Sequence, residues 1–304
     1  MNVSDLNHSE LRSLLKSTGL TLQTGPFITH IQSSISSVSE NIALLYADHA
    51  LAEDNGFADF HVQLAPPGNL RHWFRPQVLF SFDNRIPFKP LPLDQAFPML
   101  EWGMNWCVSG HSHQYLILHA AVLEMQGRAV ILPAPPGSGK STLCAALANR
   151  GWRLLSDELT LISKAGGALV PLCRPVSLKN QSIQVIRNFE PTAVLSRAVR
   201  DTVKGTVAHM KPPATSVAQS QLTAMPAWIV FPKYQAGAET QLAMQPKSRA
   251  FMQMIENAFN YSLLGAQGFH MMTDLIDRCD CYDFTYSNLD EAIAVFADLT
   301  PPAI

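Results

Sequence analysis

The sequence predicts an α/β fold of two unequal domains, the larger one built around a glycine-containing phosphate-binding loop. Two apolar strands, at residues 115–124 and 129–132, precede a loop at residues 133–139 and a helix-forming run at residues 140–148. Strand, glycine-containing loop and helix, in this order, are the usual setting of such a loop. The length of 304 residues corresponds to two domains, at roughly 100–200 residues per domain.

Composition excludes several classes of protein. The chain has 22 Lys and Arg against 24 Asp and Glu and no basic block, whereas binding to nucleic acid requires clustered basic residues. No apolar segment approaches the roughly 18 residues of a membrane span, and the N-terminus lacks the pattern of a secretory signal. Five scattered cysteines are typical of reduced thiols. We therefore expect a cytoplasmic protein that binds neither nucleic acid nor a membrane.

The two domains are predicted at residues 1–105 and 106–304. The first contains a helix candidate at residues 9–17 but no recognisable chemistry. Four prolines between residues 85 and 98 predict an extended connector before the boundary, because proline can neither continue a helix nor donate to a sheet. A short amphipathic segment follows at residues 99–108.

The second domain continues beyond the loop as alternating strands and helices. Apolar spacing near 3.6 predicts helices over residues 248–264 and 269–278. A last helix, through residue 299, is predicted to open at Ser287 with Asp290 in a capping-box-like arrangement and to be terminated by the prolines at 301–302. Further strands are predicted at residues 152–155, 159–163, 227–231 and 282–286.

The most specific signal is the loop itself, which matches G-x-x-x-x-G-K-[ST] except that Ala134 replaces the first glycine. Gly137 and Gly139 let backbone N–H groups close around phosphate oxygens, and the following helix directs its positive end at the same anion. A chance glycine-rich turn is the alternative, but loop, Lys-Ser pair and flanking elements agree. The residues predicted to bind nucleotide here are Ala134, Pro135, Pro136, Gly137, Ser138, Gly139, Lys140, Ser141 and Thr142.

Within this loop, Lys140 is expected to reach the β- and γ-phosphates and the Ser141 hydroxyl to ligate Mg²⁺. An acidic pair, Asp157 and Glu158, follows a predicted strand, and strand carboxyl ends face the ligand crevice of an α/β sheet. One acid would hold magnesium or take the proton of an attacking hydroxyl. Two solvated turn carboxylates are the alternative.

Three histidines lie within about twenty-five residues before the loop. His119 lies inside the predicted strand at residues 115–124, where an imidazole either contacts a phosphoryl group, shifts the pKa of a neighbouring aspartate or is a satisfied core histidine. Periodicity alone favours the last of these. His111 and His113 lack a third metal ligand and are interpreted as surface histidines. The close pair Cys279 and Cys281 likewise lacks the further ligands that zinc requires.

These residues resemble the catalytic core of HPr kinase/phosphorylase. The His-Ala-Ala-Val run from His119, the phosphate-binding loop, the Asn-Arg-Gly-Trp turn at 149–152 and the Leu-Leu-Ser-Asp-Glu run at 154–158 occur there in the same order at similar spacing. The resemblance covers about residues 119–163. It implies a P-loop kinase domain of the HPr kinase/PEP carboxykinase-like type with an additional N-terminal α/β domain.

Carried over by position, the resemblance makes Asp157 the proton-abstracting base and His119 its helper, with Lys140 holding phosphate. Ser141 and Glu158, the latter replacing the second aspartate of the family, are assigned to Mg²⁺. Arg174 is only a rough counterpart of a later family signature, whose magnesium-binding glutamate has no equivalent here. Because that signature is associated with the phosphorylase direction, the sequence leaves open whether the protein also dephosphorylates its product.

The overall arrangement is more similar to the HprK-related kinase A group, which accompanies a PqqD-like peptide chaperone. The block at residues 203–213 also resembles that group. Lys204 and Lys211 in this block are expected to close over the triphosphate or to dock an acidic peptide, unless the block is an ordinary exposed loop. HPr kinase/phosphorylase is a hexamer, so the resemblance also admits a homo-oligomer, although no interface is recognised.

The function that these residues favour is a kinase that uses ATP and Mg²⁺ to phosphorylate a hydroxyl, with serine favoured, on a protein or peptide. The N-terminal domain is the candidate for recruiting that acceptor. Two alternatives stay open: a nucleotide-gated binding module without transfer, and a small-molecule P-loop kinase. The sequence does not distinguish ATP from GTP or pyrophosphate as donor.

Overall fold

A computed structural model of the chain describes residues 1–52, 56–68 and 74–299. These residues form a mixed α/β fold with several sheets, which confirms the predicted α/β class. None of the described helices is both long and apolar enough to cross a membrane.

The N-terminal region is a five-stranded sheet with helices packed on it, and its strands follow one another across the sheet from β1 to β5. The helix predicted at residues 9–17 is α1, capped by Asn7, whose side chain accepts the backbone N–H groups of Ser9 and Glu10. The elements are α1 His8–Lys16, β1 Leu20–Thr24, β2 Phe27–Ser33, α2 Ser36–Leu45, β3 Phe60–Ala65, β4 Gln77–Phe82, β5 Leu91–Pro92 and α3 Ala96–His111.

Helix α3 is longer than the amphipathic segment predicted at residues 99–108, and it runs through the predicted domain boundary after residue 105. Pro98 lies in its first turn, where a missing N–H removes no helical hydrogen bond. The apolar core around α3 also contains Ile117 and Leu161, from beyond the boundary. The boundary position therefore needs correction, because a continuous packed helix cannot separate two domains at its middle; the division itself stays a prediction.

The elements around the phosphate-binding loop come next. They are β6 Tyr115–Leu118, β7 Ala120–Met125, β8 Arg128–Pro133, α4 Lys140–Ala148, β9 Arg153–Ser156, β10 Thr160–Ser163, β11 Leu169–Val170, β12 Val176–Lys179 and α5 Gln181–Phe189. The predicted hairpin of β7 and β8 is confirmed, with Met125 opposite Arg128. Its turn residues, Gln126 and Gly127, have φ values of 53° and 80°, as tight two-residue hairpin turns require.

The single strand predicted over residues 115–124 is wrong. It is broken at His119, whose backbone N–H donates to the carbonyl of Asn257 at 2.6 Å. Strand β6 on one side of the break joins the three-stranded sheet β11-β10-β6, whereas β7 on the other side joins a six-stranded sheet. His119 therefore occupies a junction between sheets and not the interior of a strand.

The remaining elements complete the larger sheets. They are β13 Val199–Thr202, β14 Gly205–Met210, α6 Ala214–Ala218, β15 Met225–Tyr234, β16 Gln241–Met244, α7 Lys247–Glu256, α8 Tyr261–Leu264, α9 Ala266–Arg278, β17 Asp280–Tyr286 and α10 Leu289–Ala297. Strands β12, β14 and β13 form a sheet in that order.

Two helix predictions in this part need correction. The helix predicted at residues 248–264 is divided into α7 and α8, because the Asn260 side chain bonds the backbone of β6 at Ile117 and Tyr115. The last helix is capped by Asn288, whose side chain accepts two backbone N–H groups of the first turn. Ser287, predicted as the cap, instead donates to the Ala238 carbonyl. The terminating prolines at 301–302 lie outside the described residues.

The six-stranded sheet has the order β16-β17-β15-β8-β7-β9. Strand β15 is parallel to both β8 and β17, and β9 and β8 are both antiparallel to β7. Strands β8, β9, β15 and β17 therefore all end at one edge of the sheet. Helices α4 and α10 pack on one face, and α7 and α9 pack on the other. The edge where the four strands end is where a ligand is expected in an α/β sheet.

Candidate nucleotide site

The predicted phosphate-binding loop connects the end of β8 to the start of α4. Gly137 and Gly139 both have a φ of 87°, in the left-handed region that glycine adopts without strain. The loop is held by two neighbouring strand ends: the Ser138 carbonyl accepts the N–H of Tyr234 at 2.8 Å, and the Gly139 carbonyl accepts the Tyr286 hydroxyl at 2.9 Å. The loop conformation is thus fixed before any ligand binds.

A pocket of about 560 Å³ opens above this loop. All nine residues from Ala134 to Thr142 that were predicted to bind nucleotide line it. The first residues of two further helices, Gln181 of α5 and Leu289 of α10, line it as well. Three helices therefore begin at one pocket, and helix N-termini attract anions through their unpaired N–H groups and dipoles.

Lys140 and His119 meet inside this pocket. Lys140 is almost fully buried, and its Nζ lies 3.2 Å from Nε2 of His119. Burial, together with the charge of Lys140, lowers the pKa of His119 to about 4. The imidazole is therefore neutral at neutral pH, and its Nε2 accepts a hydrogen bond from the ammonium group. The structure brings the two predicted residues together, but it pairs His119 with the lysine and not with Asp157.

The two acids directly follow β9 and have different surroundings. Asp157 is buried; one carboxylate oxygen accepts the Ser177 N–H at 3.1 Å, and the other has no hydrogen-bond partner. Burial raises its pKa, although the charge of Lys140 acts in the opposite direction. Asp157 lines a small cavity of about 20 Å³ beside Glu158 and not the pocket itself, and its unpartnered oxygen is shielded from solvent.

Glu158 lines the pocket and stays ionised. Its Oε1 lies 3.7 Å from Nζ of Lys179, and its Oε2 accepts the side-chain N–H of Asn105 at 3.0 Å. Burial alone would raise its pKa, but the ammonium groups of Lys204, Lys179 and Lys140 together lower it to about 2. The pKa values of the two neighbouring acids are thus shifted in opposite directions, that of Asp157 upward and that of Glu158 downward.

Two predicted nucleotide ligands lie elsewhere. Arg174 does not line the pocket: its guanidinium is buried against the Glu101 carboxylate at 2.7 Å and donates to Asn105 Oδ1 at 2.7 Å. A buried arginine needs such a counter-charge, and here α3 supplies it. Lys204 lies beside Glu158, with Nζ 5.1 Å above the Trp102 ring. Lys211, expected to close over the site, is paired with Asp48 at 2.7 Å.

The oxygen donors of the pocket fit Mg²⁺. Among the described residues no group of three or more His, Cys, Asp and Glu side chains is arranged to hold a metal ion. Mg²⁺, however, is usually bound by one or two protein oxygens together with substrate phosphates and water. Ser141 and Glu158, the two predicted ligands, both line the pocket.

The structure places the remaining histidine and cysteine candidates outside the pocket. His111 is exposed, its Nδ1 donates to the Cys107 carbonyl at 3.0 Å, and its ring packs against Trp106. His113, interpreted as a surface histidine, is half-buried, and its Nδ1 has no hydrogen-bond partner. The five cysteines are buried free thiols. Burial raises the pKa of Cys281 to about 11, so this thiol is protonated at neutral pH.

A family model described as "SynChlorMet cassette protein ScmC" matches residues 98–176. This segment contains most of α3, the phosphate-binding loop and both acids. Among solved structures, the chain is similar to the Hpr(Ser) kinase/phosphatase from Coxiella burnetii, with 10% sequence identity and a TM-score of 0.27, over 60% of this chain and 91% of that one. No curated protein matches the chain. We therefore base function on the geometry of the pocket.

The pocket residues that were not selected from the sequence include Lys179, Tyr234, Tyr286 and Val185. The first three lie at the carboxyl ends of β12, β15 and β17. The rule that located Asp157, namely that strand ends face the ligand, applies equally to them, but it required knowing which strands lie side by side and in which direction. Val185 lies on α5, and no local motif marks it.

Proposed function

We propose that the chain is an ATP- and Mg²⁺-dependent kinase of the HPr kinase-like type, which phosphorylates a hydroxyl group, with serine favoured, on a protein or peptide. The observation that carries the proposal is the pocket lined by the predicted phosphate-binding loop, Lys140 and Glu158, with Asp157 next to it at the carboxyl end of β9. The pair of acids, one with a raised and one with a lowered pKa, supports transfer over simple binding.

The triphosphate would lie on the loop, with its charge facing the N-termini of α4, α5 and α10 and the ammonium group of Lys140. When bound, Mg²⁺ would neutralise charge on the phosphates, and Ser141 and Glu158 are the residues to hold it. Asp157 would orient the acceptor hydroxyl and take its proton on the free carboxylate oxygen. His119 would act on Lys140, keeping its ammonium group in place by accepting a hydrogen bond.

The apolar residues of the pocket argue against an inorganic phosphate donor. Val185, Phe189 and Leu289 present apolar surface to the pocket, which a pyrophosphate would not use. A nucleobase would cover this surface, so the shape supports a nucleoside triphosphate. The acceptor would approach from the side of the acids. On the basis of the sequence resemblance, we include a PqqD-like peptide chaperone in the proposal as the partner that delivers it.

The test is transfer from γ-labelled ATP to serine-containing peptides by the wild type, Lys140→Ala and Asp157→Asn. Removing a general base typically lowers the rate by about 10²- to 10⁴-fold, so Asp157→Asn should lose transfer while retaining nucleotide affinity. Lys140→Ala should lose nucleotide affinity. The control is Lys164→Ala, because Lys164 is exposed and lies outside the pocket, and this variant should keep both phosphate transfer and nucleotide affinity.

Asp157→Asn should also resist urea better than the wild type at neutral pH. Burial disfavours the charged carboxylate in the folded state, and the neutral amide removes that cost. Transfer that persists in Asp157→Asn would mean that the base is another residue. Nucleotide binding by the wild type without transfer to any acceptor would favour the nucleotide-gated binding module.

A further inference from the structure

Helix α3 belongs to the N-terminal region, yet one of its faces forms a wall beside the acids. Glu101, Trp102 and Asn105 line a small cavity of about 20 Å³ together with Asp157 and Glu158. Residues four apart on a helix share a face, so Glu101 and Asn105 approach the acids together. The region without recognisable chemistry of its own therefore contributes side chains next to the reacting groups.

A continuous series of hydrogen bonds connects this face to Glu158. The Tyr46 hydroxyl donates to Glu101 Oε1 at 2.6 Å, and Glu101 Oε2 accepts from Arg174 Nη2 at 2.7 Å. Arg174 Nη1 then donates to Asn105 Oδ1 at 2.7 Å. Finally, Asn105 Nδ2 donates to Glu158 Oε2 at 3.0 Å.

The orientation of the Asn105 amide is determined by its neighbours. A guanidinium group can only donate hydrogen bonds, so the side of Asn105 that faces Arg174 must be its oxygen. The NH₂ group must then face Glu158, where it satisfies one carboxylate oxygen. Since Arg174 is itself held by the Glu101 carboxylate and carbonyl, the donor presented to Glu158 is fixed from both sides.

We propose that Asn105 is a positioning residue of the nucleotide site, which holds the Glu158 carboxylate in the orientation needed for Mg²⁺-bound nucleotide and makes α3 a part of that site. The inference rests on the proposed function, because it assumes that Glu158 faces a bound nucleotide and its metal. It assigns the N-terminal region a role in building the site, in addition to any recruitment of an acceptor.

Two substitutions separate this role from a structural one. Asn105→Asp keeps the oxygen that accepts from Arg174 but replaces the donor facing Glu158 with a second carboxylate oxygen. Asn105→Ala removes both contacts. The matched control is Asn41→Ala, because Asn41 is a half-buried asparagine of the same region that donates only within α2, to the Ser37 carbonyl.

The experiment measures the affinity of full-length protein for a fluorescent ADP analogue, once with Mg²⁺ and once with excess EDTA. Residues that orient a metal ligand typically change metal affinity or activity by about 10- to 100-fold. We expect Asn105→Asp and Asn105→Ala to lose this much of the Mg²⁺-dependent gain in affinity, with affinity in EDTA unchanged. Asn41→Ala should behave as the wild type.

A double-mutant cycle with Glu158→Gln tests whether Asn105 acts through Glu158. If it does, adding Asn105→Ala to Glu158→Gln should cause no further loss of the Mg²⁺-dependent gain. Additive losses, equal losses with and without Mg²⁺, or a wild-type gain in Asn105→Asp would each overturn the proposal. Because binding is measured without an acceptor, a wild type that gains affinity with Mg²⁺ but transfers no phosphate would contradict the proposed kinase activity alone.

Discussion

Nζ of Lys140 and Nε2 of His119 are 3.2 Å apart in the nucleotide pocket. The contact forms because the chain breaks between β6 and β7 at His119, at the same sheet edge from which β8 leads into the phosphate-binding loop. A neutral imidazole here accepts from the ammonium group, whereas a protonated one would repel it. Lys140, which we propose contacts the phosphates, is therefore held by a group whose charge depends on pH.

The first prediction concerns stability and pH. The pKa of His119 is lowered from 6.5 to about 4 in the folded protein, so the unfolded chain binds more protons between these two values. The free energy of unfolding should therefore fall as the pH falls from about 6.5 toward 4. Urea unfolding at several pH values should show this loss in the wild type and a smaller loss in His119→Gln.

The exposed His8 supplies the control for this experiment. Its substitution, His8→Gln, should leave the pH dependence of the wild type unchanged, because His8 lies at the surface at the start of α1. Equal pH dependence in the wild type and His119→Gln would mean that His119 is not held neutral by Lys140.

How far the sequence could predict this site depends on the range of the interactions. The loop was recognisable because its glycines, Lys140 and Ser141 act within one short segment. Asp157 was located by the strand before it. Arg174 was assigned to nucleotide because its local run resembles a family signature, but Glu101, more than seventy residues earlier, provides the counter-charge that holds it.

The same distinction applies to His119. Its strand was predicted from continuous apolar residues, and nothing local marks the break, because the carbonyl that accepts the His119 N–H belongs to Asn257, far along the chain. The helix break at Asn260 is equally non-local, since its cause is the backbone of β6. Periodicity reports burial, and it cannot distinguish one buried strand from two that belong to different sheets.

A second prediction concerns Tyr286, which donates to the Gly139 carbonyl at 2.9 Å. Tyr286→Phe removes only the hydroxyl and keeps the stacking on Phe284. A net hydrogen bond contributes about 0.5–1.5 kcal/mol, so nucleotide affinity should fall roughly two- to tenfold. Isothermal titration with ADP would measure it. Tyr282→Phe, on the same strand but outside the pocket, should bind as the wild type, and an equal loss in both variants would contradict a role of this bond.

A third prediction separates nucleoside from phosphate recognition. Val185 is 41% exposed in the free protein and lines the wall opposite the loop. If a nucleobase covers it, Val185→Ser should weaken ATP binding roughly three- to eightfold, since fully burying a valine contributes about 1.5–3 kcal/mol and about two fifths of its surface is still exposed. Binding of tripolyphosphate, which lacks a base, should not change. Val194→Ser is the control, because Val194 is equally exposed, at 41%, and lies outside the pocket.

These measurements also distinguish the donors. Tripolyphosphate that binds as tightly as ATP, with neither affected by Val185→Ser, would favour an inorganic phosphate donor over a nucleotide. Weakening of both ligands would instead indicate that the substitution disturbs the phosphate-binding loop through α5.

The last prediction concerns the ion pair between Glu101 and Arg174, which are both buried, with Nη2 and Oε2 2.7 Å apart. Glu101→Gln keeps the shape of the side chain but leaves the guanidinium without its counter-charge. Breaking a buried pair in this way costs about 3–5 kcal/mol. Urea unfolding should show the loss, whereas Asp283→Asn, which breaks the exposed pair with Arg249, should lose far less.

The same variant tests whether the N-terminal region unfolds separately. The apolar core around α3 also contains Ile117 and Leu161, so Glu101→Gln should still unfold in one transition when β-sheet and tryptophan signals are followed together. Two separate transitions would show that the N-terminal region folds independently of the rest of the chain.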